Sequence, residues 1–196
     1  MSIAVLRTEV QQALRRPTGL QIRSWVAAGL LGLSLLLPYW RITLFAPQYP
    51  GGLRASVYLT KVAGEAGEIS ILNHYIGMKP LEQAAPLERR FAVPIVLAGV
   101  LAVAASPFLG RVGLLLQAPA VLFPIGVAGD LAFWMWRFGH SLDPSAPIRV
   151  EPFMPAIVGK GAVMQFSTSA MFSWGFLFSG ITALIAVYNL SRWRRR

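Results

Sequence analysis

The side chains able to do chemistry in this 196-residue chain are few and fall in two short stretches. In LNHYIGMKP, His74 and Met78 stand four apart, and Asn73 can cap a helical turn that puts both on one face. In FGHSLDPSAPIRVEPFMP the candidates are His140, Asp143 and Met154. Imidazole and thioether are soft donors, so His74, Met78, His140 and Met154 form a candidate metal-ligand set. Each also has a plainer reading: a loop histidine beside a core methionine, and in Asp143-Pro144 a turn or cap residue. There is no cysteine, which excludes disulfides, cysteine-ligated zinc or iron-sulfur clusters, a thiol nucleophile and covalent haem attachment.

The elements that must position these residues follow from composition. Hydrophobic residues make up 55% of the chain and charged residues 13%, well below the roughly 25% charged of a soluble globule. Mean hydropathy is +0.56. Four apolar runs read as transmembrane helices: residues 21–40, with Trp25 and Trp40 as interfacial anchors; 91–109; 112–136; and 162–188. The expected fold is an all-α membrane protein, four transmembrane helices with two outer loops, 41–90 and 137–161. The first loop has room for one or two short strands, at 56–62 and 69–72. Ala98, Ala102 and Ser106 offer a small-residue face for helix contact. Met164, Thr168 and Met171 share a face of the fourth helix, where bundle packing is the ordinary use, as it is for Ser167 and Ser169.

The net charge of +10 is chiefly a topology signal. Arg7, Arg15, Arg16 and Arg23 precede the first run, Arg111 sits between the second and third, and Arg192, Arg194, Arg195 and Arg196 close the chain, with Glu9 as the one acid among them. The remaining cations are diluted by six acids over the two long loops. The positive-inside rule then places both termini in the cytoplasm and both loops on the extracytoplasmic side of a bacterial inner membrane. Nucleic-acid binding is not indicated, because the arginines flank spans. Residues 1–24 also carry an apolar stripe, Ile3, Leu6, Val10 and Leu14, fit for a short interfacial helix, and 189–196 form a basic tail.

Asp130 is an ionisable group inside the third run, and intramembrane carboxylates usually meet a partner or a cavity. Arg137, seven residues on, lies on the same helical face. A structural anchor and a proton or metal relay both fit the pair. No nucleophile triad, phosphate loop or HExxH motif indicates an enzyme.

Three motifs in order, APQYPGGL after the first run, LNHYIGMKP before the second, and FGHSLDPSAPIRV through MPAIVGKG before the fourth, resemble a family of small four-span membrane proteins encoded among nitrous oxide reductase maturation genes. Members read PGM and YQPPL in the second loop where this chain reads EPFMPAIVG, keeping a methionine as Met154. The resemblance implies an accessory role on the extracytoplasmic side, with nitrous oxide reductase maturation proteins as partners and copper as the metal. Met and His suit Cu(I) in an oxidising compartment where thiols are poor carriers. Alternatives are a non-catalytic subunit of a respiratory or transporter complex and, with less support from the loop position of both histidines, a haem b carrier.

Overall fold

The computed structural model describes residues 18–110 and 112–193. The amphipathic N-terminal segment, Arg111 and the last three arginines lie outside the described residues.

Four helices pack together: α1 (Gly19–Ser34), α3 (Pro86–Ala105), α4 (Val112–His140) and α5 (Trp174–Trp193), with a short α2 (Ala66–Tyr75) apart from them. Among the described residues, three stretches are long and apolar enough to cross a membrane: Pro86–Phe108, Leu115–His140 and Trp174–Arg192. The first run is not a fourth. Thr18 caps α1 through a capping box with Gln21, and the helix ends after 16 residues, about 24 Å against a hydrocarbon core of about 30 Å. Pro38, which has no N–H and disfavours helix in the residue before it, bars its continuation through Leu37.

The all-α expectation is overturned by a five-stranded antiparallel sheet, order β3-β2-β1-β5-β4. Its strands are β1 (Trp40–Ala46), β2 (Tyr49–Val57), β3 (Val62–Gly64), β4 (Gly159–Val163) and β5 (Phe166–Phe172). Both loops supply strands, and so do residues that hydropathy assigned to spans. Trp40 starts β1, and residues 162–172 fall within the β4–β5 hairpin, whose second strand leads into α5. Met164 takes a positive φ of 54° in that hairpin, and Thr168 and Met171 sit on β5, so their shared helical face does not exist. The apolar stretch 69–72 is helical, within α2.

The sheet's central pair continues the bundle. α1 leads into β1, β5 leads into α5, and the two helices pack side by side. β1 pairs with β5 in the register Trp40 to Phe172, Ile42 to Ala170 and Leu44 to Thr168. In W-R-I-T-L-F-A the alternate residues Trp40, Ile42, Leu44 and Ala46 are buried, as a pleated strand with one covered face requires. They pack with Leu53, Ala55 and Ala170 against Ile69 and Ile76 around α2, and against Met135 and Phe138 at the end of α4.

Inside the bundle the helices are tied by a polar cluster. Gln117 Nε2 donates to Ser106 Oγ at 2.7 Å and Ser24 Oγ at 3.2 Å, Arg23 Nε donates to Asn189 Oδ1 at 2.8 Å, and Thr182 Oγ1 donates to the Ala27 carbonyl at 3.1 Å. Such bonds hold helices together where burial from water cannot.

Candidate functional site: a methionine-lined cavity under the sheet

The two long loops converge. The Asp143 N–H donates to the Gly77 carbonyl at 2.9 Å and the Ile148 N–H to the Tyr75 carbonyl at 3.0 Å. The second loop then crosses the end of α4, where the Phe153 N–H donates to the Gly139 carbonyl at 3.1 Å, and reaches β1, where Trp40 Nε1 donates to the Ile157 carbonyl at 2.6 Å. Gly139 is needed at that crossing because a Cβ there would collide with the Phe153 carbonyl.

This path separates the histidines from the methionines. α2 ends at Tyr75, and Gly77, at φ +78°, turns the chain back so that the Met78 N–H donates to the Asn73 carbonyl at 2.9 Å. His74 is left exposed on the last helical turn while Met78 enters the core at 8% exposure. The shared face expected of His74 and Met78 needs a helix through residue 78, and the left-handed glycine ends it first. His140 is also exposed. Its ring stacks on Trp136 with centroids 4.9 Å apart and its Nδ1 meets the Trp136 carbonyl at 2.9 Å.

Met78 and Met154 do line one cavity, and Met135 lines it with them. All three line a cavity of about 130 Å³ between the sheet, α2 and the segment after Phe153. Met78 and Met135 are buried, and Met154, 47% exposed, stands at the mouth. Asn73 and Thr168 are the polar residues of its wall. Met135 escapes a sequence reading because it lies in an apolar run; its one signal is a place in the last two turns of α4, next to the interfacial Trp136.

Among the described residues no group of three or more His, Cys, Asp or Glu could hold a metal. Any metal in this cavity would rest on thioether sulfur, which fits Cu(I) and not zinc or Cu(II). His74 and His140 are not part of that wall.

Asp143 is exposed and closes a turn: Oδ1 accepts from the Ser145 hydroxyl at 2.6 Å and the Ser145 N–H at 2.9 Å. These bonds hold its carboxyl below the usual carboxylate range, with nearby His74 adding a little. Arg137 does not turn back to Asp130. Its guanidinium lies 5.4 Å from the Trp134 ring centroid and 6.0 Å from that of Phe133. Asp130 instead faces a second, larger cavity between α3 and α4, beside Glu88 and Trp134. No protein-family model matches the chain, and no curated protein matches it at significance.

Proposed function

We propose that the protein is a membrane-embedded accessory factor acting on the extracytoplasmic side in nitrous oxide reductase maturation, and that its sheet-covered cap handles Cu(I). The inner membrane, with the turn between α3 and α4 and the C-terminal end of α5 cytoplasmic, is the setting this reading requires. The observation that carries it is the gathering of Met78, Met135 and Met154, from two loops and a helix end, at one cavity. Thioethers keep their affinity for Cu(I) where thiols are oxidised. Met78 and Met135 would hold the ion inside and Met154 would pass it at the mouth, while the exposed His74 and His140 remain for contact with a partner. The sidedness rests on the arginine distribution and the partner on the three-motif resemblance.

The test is Cu(I) competition against a chromophoric chelator with the purified full-length protein. One bound Cu(I), lost on Met78→Leu with Met135→Leu and kept on His74→Ala with His140→Ala, is the expected result. No Cu(I) binding, together with normal copper content of nitrous oxide reductase in a deletion host, would sink the reading.

A second reading, a non-catalytic subunit of a membrane complex, is favoured by the open outer edges of β3 and β4, which offer unpaired backbone groups to a partner strand. Partner co-purification that survives both sets of substitutions, from a protein without copper, would favour it.

A further inference from the structure

The larger cavity, about 470 Å³, is unlike the first. It lies where the bundle meets the sheet, between α3 and α4, and its walls are apolar apart from one end. Leu122 and Ile95 line it and are 63% and 55% exposed, so it opens sideways on the face that a membrane would cover. Along α4 the lining runs from Asp130 inward to Pro119, about 16 Å of helix. Gly126 forms part of the wall, and a Cβ there would meet nothing within 4 Å.

The polar end carries both signs of charge. Glu88, in the first turn of α3, and Asp130 of α4 both line this end, two carboxylates on neighbouring helices. Arg137 lies over two aromatic rings, and Arg89 donates to the carbonyls of Glu82 at 2.7 Å and Leu81 at 3.1 Å. Trp134 Nε1 is buried beside Asp130 and makes no well-aligned hydrogen bond among the described residues. Arg89 also lines the cavity, and those two bonds leave part of its five-donor guanidinium for another acceptor.

We propose that this groove binds a zwitterionic aminophospholipid of the phosphatidylethanolamine type. Its primary ammonium sits between Glu88 and Asp130, its phosphate faces Arg89, and one acyl chain runs inward past Gly126 toward Pro119. A primary ammonium offers three N–H donors to the two carboxylates. The quaternary ammonium of phosphatidylcholine offers none, and phosphatidylglycerol brings only negative charge to an acidic pair. The inference is independent of copper and of any maturation partner.

The experiment is native mass spectrometry of the delipidated full-length protein titrated separately with phosphatidylethanolamine, phosphatidylcholine and phosphatidylglycerol. Phosphatidylethanolamine is expected to bind roughly tenfold more tightly than the other two, the difference charge-assisted hydrogen bonds make. Glu88→Gln with Asp130→Asn should erase the preference and keep residual chain binding. Gly126→Phe, which fills the groove, should weaken all three lipids, and Leu122→Trp at the exposed lip is the substitute if that variant misfolds by circular dichroism. Equal affinities in the unmodified protein, a preference that survives the double substitution, or lipid binding indifferent to the blocked groove would each overturn the proposal.

Discussion

The Asp143 N–H donates to the Gly77 carbonyl at 2.9 Å, joining positions 66 residues apart and fastening the second long loop to the turn that ends α2. The contact depends on Gly77 twice. Its φ of +78° is one that L side chains rarely adopt, and a Cβ would lie 2.7 Å from the Asp143 carbonyl oxygen and 2.8 Å from its nitrogen. Gly77→Ala should therefore destabilise the cap by about 1–3 kcal/mol. Hydrogen exchange should locate the damage at Asp143 and Ile148 and leave the amides of α5 protected.

Asp143 supplies a pH dependence of known sign. Its carboxyl is held below the ordinary value by Ser145, so the ionised side chain favours the folded turn. That contribution is complete above the unfolded value of about 3.9 and is lost as pH falls through the lower folded value. Exchange at Ser145 and Ala146 should rise on acidification over that window. Asp143→Asn should flatten the profile and leave exchange at neutral pH near the faster, acid level of the unmodified protein.

Tyr39 behaves oppositely. Burial raises its phenol to about 12, against smaller opposing effects of hydrogen bonds with Ser34 and Ser179, and its hydroxyl lies 2.6 Å from Ser34 Oγ. The folded state keeps the proton after the unfolded chain has lost it. Stability should thus be intact below about pH 10 and fall by about 3 kcal/mol as pH rises through the folded value. Alkaline denaturation of Tyr39→Phe should show that slope removed.

Met135→Leu separates packing from ligation. Exchange of these similar volumes in a core usually costs less than about 1.5 kcal/mol, so melting in detergent should change little. Under the Cu(I) reading, affinity in the chelator competition should still fall at least about tenfold. Unchanged affinity would remove Met135 from the site.

Trp40 gives the last test. Its indole is 1% exposed and its N–H satisfies the Ile157 carbonyl at 2.6 Å. Trp40→Phe should cost about 1–3 kcal/mol through the unpaired carbonyl and lost volume, with freer exchange in residues 154–158 as the local sign.

The apolar character of the three membrane-length helices and the separateness of the two long loops were legible because hydropathy sums locally along the chain. The sheet was not, although the W-R-I-T-L-F-A alternation that marks β1 is plain once Trp40 is released from the first span. A Leu-rich run ending in Pro-Tyr-Trp reads as one continuous helix until Pro38 is taken as a stop. Likewise F-S-T-S-A-M-F is apolar enough to be absorbed into the helix that follows it. Met78 and Met154 were found as soft donors, but the histidines grouped with them point outward. Met135 was hidden in the apolar run that carries it.

By itself, the sequence determined what depends on residue type: an apolar, cysteine-free chain whose soft donors are methionine and histidine, with a lopsided arginine distribution. Only tertiary structure decided which of those donors meet. Strand pairing between β1 and β5, more than 120 residues apart, is a non-local choice fixed by burying Trp40, Ile42 and Leu44 against α2 and the end of α4. That burial, with the left-handed turn at Gly77, draws three thioethers to one cavity and leaves both imidazoles outside it.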